Sequence, residues 1–304
     1  MNTTHMRFPS NRVRDIERFF HTDLRDCYPD GEIGMYVGIL FEEYLGWDKA
    51  HFLLNRDATI NQSDLLKMHW ALEDLKHFRP IQHIIGHTAF CGLRIDVSPD
   101  VLIPRPETEE IVSQVVELIS HQPQTTSPLK IIDLCTGSGC IAIALKHLLS
   151  QSQVTAIDLS HPALEMARKN ATSNHTEIEF LPVDVLSEES MDSLSGSFDL
   201  IISNPPYVRQ SERGQMSANV TEYEPSSALF VPDEDPLVFY RHIGHWAIHH
   251  LAPNGILALE INEFLSHQTC HLLNTIGFSS RLLQDFRGKD RCIIAQHNII
   301  TPLS

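Results

Sequence analysis

The chain has 304 residues, 42% hydrophobic and 20% charged, enough for one large or two modest domains with a substantial buried core. Its formal net charge of −16 argues against a protein that grips nucleic acid through a basic face, and suits a basic protein partner better. No run of 18 apolar residues predicts a transmembrane helix, the start carries no apolar signal core, and the six scattered cysteines form no C-x-x-C pair. Together these features predict a cytoplasmic protein with reduced thiols.

Residues 10–80 read as helical, because "NRVRDIERFFHTDL" and "DLLKMHWALEDLKHF" space apolar residues by three and four. Asn61, Ser63 or Asp64 can cap the second of these helices. Residues 81–103 change to β-branched and aromatic residues around Gly86 and Gly92, the pattern of a β-hairpin connector. "PRPETEEIVSQVVELISH" opens a helix whose Glu107, Glu109 and Glu110 suit a positive N-terminus, and "QPQTTSP" reads as a loop. From Leu129 short apolar strands alternate with helices through "RCIIAQH". The predicted organisation is a helical domain over 1–80, a hairpin linker over 81–103 and an α/β domain over 104–304. The α/β domain is expected to be a doubly wound, mostly parallel, Rossmann-like sheet.

Four strand tips carry chemistry. Asp133, Cys135, Thr136, Gly137, Ser138 and Gly139 form an acid followed by a glycine turn, where the backbone can approach a ligand closely. Neither the dinucleotide fingerprint nor a P-loop is matched. Asp158 ends the next strand and can accept from both ribose hydroxyls of a nucleoside, although Ser160 and Pro162 also begin a helix there. Asp184 can accept from a purine amine, with Val185 against the ring. Asn204-Pro205-Pro206-Tyr207 closes the fourth strand as a rigid turn rich in acceptors and poor in donors. His242, His245 and His249 share a helical face, but they lack the partners of a zinc site, and no metal is expected.

Together these tips resemble class I methyltransferases that use S-adenosylmethionine and release S-adenosylhomocysteine. The N-P-P-Y element resembles members that methylate a planar nitrogen. The side-chain oxygen of Asn204 and the carbonyl of Pro205 can hold both N–H groups of an amide and stabilise charge developing on its nitrogen, while Tyr207 packs on the flat group. N-P-P-Y alone does not separate protein glutamine from adenine or guanine.

"AFCGLRIDVSPDVLIPRPETEEIV", "DLCTGSGCIAIAL", "SNPPYV", "YEPSSALF" and "FRGKDRCIIA" resemble the HemK/PrmC family of peptide chain release factor glutamine methyltransferases. The resemblance implies methyl transfer to N5 of the glutamine in the Gly-Gly-Gln (GGQ) loop of class 1 release factors. It also implies a helical N-terminal domain that recognises the release factor, and a monomer with no nucleic-acid or membrane partner. Phe90 and the Pro104–Glu107 segment should border cofactor and substrate glutamine, with Asn204, Pro205, Pro206 and Tyr207 lining the amide site. Two departures stand out: Cys135 replaces a usual Gly, and Asn262 replaces a usual Gly after "LALEI", where a local turn should change and the chemistry should not. Glu224 is expected to hold the loop after N-P-P-Y. The alternatives are a glutamine methyltransferase of a ribosomal protein and an adenine or guanine methyltransferase of nucleic acid.

Overall fold

A computed structural model describes residues 8–121 and 127–298, so most of the expected loop at 122–128, and Arg7, lie outside the described residues. The chain divides into two units, residues 1–86 with 217–223 and residues 87–216 with 224–304.

The first unit contains α1 (Val13–Leu24), α2 (Asp30–Leu45), α3 (Lys49–Leu54), α4 (Gln62–Lys76) and α5 (Ile81–Ile85). Val13, Ile16, Phe20 and Leu24 form one stripe of α1 and cluster with Val37 and Phe41 of α2 and Met68 and Leu72 of α4. Asn61 is the residue that caps α4, accepting from the Asp64 amide at 2.8 Å. Residues 81–85 differ from the expected hairpin connector. They close one helical turn, which ends where Gly86 enters the left-handed region at φ +83°.

The hairpin itself belongs to the second unit. β1 (His87–Phe90) and β2 (Leu93–Asp96) pair antiparallel across Cys91 and Gly92, at φ +49° and +76°, a turn whose twist matches that of the strands. α6 (Pro106–Ser120) follows, with Pro106 in its first turn. Next come β3 (Lys130–Leu134), α7 (Cys140–Leu148), β4 (Gln153–Asp158), α8 (His161–Ser173), β5 (Glu179–Pro182) and α9 (Glu188–Met191). β6 (Phe198–Ser203) and β7 (Val208–Arg209) precede α10 (Ala218–Thr221), a turn that belongs to the first unit. β8 (Phe230–Val231), α11 (Val238–His250), β9 (Leu251–Glu260), α12 (Ser266–Ile276), β10 (Phe278–Gln284) and β11 (Asp290–His297) complete the chain.

The main sheet runs β10-β11-β9-β6-β3-β4-β5. It is parallel from β9 to β5, and β11 is antiparallel to both of its neighbours. Consecutive strand residues go to opposite faces. Ile131, Leu200, Ala258 and Ile294 join a cluster with Ile111 and Val115 of α6. Their neighbours Ile132, Ile201, Leu259 and Ile293 join Tyr240, Ile243 and Leu273 of α11 and α12. Both faces are therefore covered, which is why these strands read as continuous apolar runs. The chain steps from β3 outward through β4 and β5, then returns to β6 on β3's other side, and ligands bind at the carboxyl ends beside such a reversal.

Candidate active site

A cavity of about 260 Å³ lies at the carboxyl ends of β3, β4, β5 and β6. Cys135, Thr136, Gly137 and Ser138 line it, with Asp158, Asp184, Val185, Asn204 and Pro206. The turn after β3 is held from beneath. The Thr136 hydroxyl donates to buried Asp133 at 2.5 Å, and the Thr136 amide donates to the Ile157 carbonyl at 2.9 Å. Gly137 N donates to Asp158 Oδ2 at 2.8 Å, while Asp158 Oδ1 accepts from Ser160 N at 2.9 Å. A Cβ on Gly137 would meet no atom within 4 Å, so its backbone stands open to a ligand. Gly139 packs differently: a Cβ there would fall 2.9 Å from the Cβ of Ala167 on α8. Cys135 occupies the left-handed region at φ +60°, which explains why glycine is the usual residue there.

The carboxyls of the turn are tuned by burial. Burial lifts Asp133 to about 7, against the Thr136 hydrogen bond. Asp158 is also raised by burial, against amide donors from Ser160 and Gly137. Burial, reinforced by Asp158 and Asp133, holds the Cys135 thiol neutral. Asp184 Oδ1 accepts from Leu186 N at 2.9 Å.

Asn204 lines the cavity, and among the described residues its side chain makes no hydrogen bond to protein. Pro205 and Pro206 are buried, and Ser203 fixes the strand end by donating to the Leu134 carbonyl at 2.7 Å. Tyr207, Pro205 and Asp133 do not line the cavity themselves. Tyr207 is half-buried and donates its hydroxyl to Glu260 at 3.1 Å. Burial and the Glu260 carboxylate keep that phenol protonated.

Phe90 departs from expectation. It is fully buried at the inward-facing end of β1, in the cluster with Ile95, Ile111 and Val115, and does not line the cavity. Strand alternation turns its ring to the core. From the Pro104–Glu107 segment, Pro104 and Arg105 reach the cavity. Glu224 holds that segment, accepting from Ile103 N at 2.9 Å and from Arg105 Nη2 at 2.5 Å. Leu102, Ile141, Ala163 and Phe239 also line the cavity and went unmarked by any motif, since each reads as an ordinary core residue. His242, His245 and His249 border a separate cavity with Glu188 and Asp192, and no group of three or more metal-ligating side chains among the described residues could hold an ion.

A glycine turn, two strand-tip carboxylates and an acceptor turn around one cavity, on a sheet of this order, define a class I methyltransferase dependent on S-adenosylmethionine. The Methyltransferase small domain model matches residues 111–222, and the PrmC N-terminal domain model matches residues 36–86. A release factor glutamine methyltransferase from Flavobacterium psychrophilum is 39% identical over 282 residues, covering 92% of this chain and 98% of that protein. One from Bacteroides thetaiotaomicron is 36% identical, covering 92% and 98%. The chain belongs to the release factor glutamine methyltransferase family. The catalytic domain of hMettl16, solved in complex with the MAT2A 3'UTR hairpin 1, shares the fold at a TM-score of 0.51 and 17% identity, covering 81% of this chain and 84% of that one.

Proposed function

We propose that the chain methylates N5 of the glutamine in the GGQ loop of class 1 peptide chain release factors, in the cytoplasm. Family membership supports the release factor as substrate, and the chemistry rests on the uncommitted Asn204 amide on the cavity wall, beside two buried prolines and at the end of the strand next to the one that carries the glycine turn. The residues present fit S-adenosylmethionine, which supplies a methyl group on a sulfonium leaving group. Gly137 leaves space at the turn, Asp158 would accept from ribose hydroxyls, and Asp184 with Val185 would receive the adenine. An amide nitrogen is a poor nucleophile because its lone pair is delocalised. The Asn204 oxygen and the Pro205 carbonyl would hold its two hydrogens, aim the nitrogen and stabilise the positive charge that develops on it. Tyr207 would pack on the flat amide group, and the chemistry asks for no metal. The helical N-terminal domain, 1–80, recognises the release factor, and the enzyme acts as a monomer.

The test is label transfer from S-adenosylmethionine to an intact release factor. Incorporation should vanish when the GGQ glutamine is replaced by Ala, and label in RNA or DNA would overturn the substrate. Asn204→Ala should cut kcat about 100-fold or more while cofactor Kd stays near wild type. Asp158→Ala should weaken cofactor binding first.

A further inference from the structure

β9 ends at Glu260, and the chain beyond it passes the Tyr207 turn. Two side chains from this stretch reach the same tyrosine. The Tyr207 hydroxyl donates to Glu260 Oε1 at 3.1 Å, and Asn262 Nδ2 donates to the Tyr207 main-chain carbonyl at 3.2 Å. Neither contact is casual. Glu260 is 3% exposed, and its second oxygen accepts from the Thr108 hydroxyl at 2.7 Å. A carboxyl buried this deeply is costly unless both oxygens are satisfied, and here both are. Thr108 belongs to the first turn of α6, inside the P-R-P-E-T-E stretch. Asn262 also donates to Glu212 Oε2 at 3.0 Å, the oxygen that receives the Arg209 amide at 2.8 Å, and its own Oδ1 accepts from Phe264 N at 3.0 Å. It therefore shapes the local turn, as expected of a Gly replacement, and it also grips the acceptor motif.

We propose that Glu260 and Asn262 are positioning residues for methyl transfer, holding Tyr207 by its hydroxyl and by its carbonyl. Pro205 and Pro206 have fixed φ, so a Tyr207 held at both ends sets where the Asn204 and Pro205 acceptors point. Glu260 also links that turn to the Pro104–Glu109 segment through Thr108. The Asn262 arm stands where the resembling family commonly carries Gly. The inference rests on the reading of Asn204–Tyr207 as the amide site.

The test compares Glu260→Ala, Glu260→Gln, Tyr207→Phe and the double variant Tyr207→Phe/Glu260→Ala, using intact release factor and S-adenosylmethionine. Glu260→Ala and Tyr207→Phe should each lower kcat about 10- to 100-fold, with cofactor Kd within about twofold, as misplacement of a reacting group does. The double variant should be no slower than Glu260→Ala, because the two residues act through one contact. Glu260→Gln should recover most of the rate, since its oxygen still accepts from the phenol. Asn262→Gly should fold and lose about three- to tenfold in kcat. Losses that multiply in the double variant, or wild-type kcat in a folded Glu260→Ala, would overturn the proposal. If Glu260→Ala does not fold by circular dichroism, Tyr207→Phe and Asn262→Gly carry the test, and unchanged kcat in both overturns the proposal equally. An inactive Asn204→Ala with a wild-type Glu260→Ala would sink the positioning role alone, and an active Asn204→Ala would sink the site reading beneath it.

Discussion

Asp133, one residue short of the end of β3, and Asp158, the last of β4, lie on neighbouring parallel strands, yet burial gives them different work. Asp133 sits under the glycine turn and holds Thr136, whereas Asp158 lines the cavity and receives the Gly137 amide. Because burial raises the folded pKa of Asp133 from 3.8 to about 7, its carboxyl favours the folded state most when protonated. That contribution is complete below about pH 4 and is lost as pH climbs through about 7. Asp133→Asn removes the titration and keeps an acceptor for Thr136. Between pH 5 and pH 8 the wild type should lose melting temperature relative to this variant in differential scanning fluorimetry, and parallel curves would refute the assignment. Both acids were legible in the sequence as strand-tip carboxylates. Their division of labour was not, because it depends on which one the turn covers.

The turn between β3 and α7 is the element on which the site depends. Gly139→Ala would drive a methyl into Ala167 at a φ of +82°, costing about 1–3 kcal/mol by overpacking, with a strained backbone besides. Cys135→Gly relieves a non-glycine residue in the left-handed region, worth about 1–2 kcal/mol, offset by about 0.5–1 kcal/mol of chain entropy. Urea unfolding should therefore find Cys135→Gly neutral or slightly stabilised and Gly139→Ala clearly destabilised. A loss on Cys135→Gly as large as that of Gly139→Ala would mean the thiol is needed for packing. Strands β3 to β6 and helices α7 and α8 were plain in the sequence, because burial on both faces writes long apolar runs, whereas the four-residue α9 was not read. The pieces between β7 and β8 were not, since strands two residues long and isolated helical turns have no periodicity to read. Ile81–Ile85 misleads for the same reason. Its β-branched residues suit a strand, but Gly86 ends a helical turn there.

Across the whole molecule the net charge of −16 acts at long range. Docking against a basic surface of the release factor would be steered by it, and kcat/KM for that substrate should then fall as NaCl rises from 50 to 300 mM while cofactor Kd changes little. A salt-independent kcat/KM would leave the acidic surface without a role in encounter. The βαβ alternation and the four strand-tip motifs, the N-P-P-Y turn among them, were all set locally, by residue type and spacing, so the chain's order alone announced the sheet and its chemistry. Which residues meet across the sequence was decided only by folding. Glu224 reaches Ile103 and Arg105, Glu260 reaches Thr108 and Tyr207, and Phe90 turns from the expected site into the core. Those partners lie far apart along the chain, and no local periodicity encodes a contact that exists only when two distant segments share one buried space.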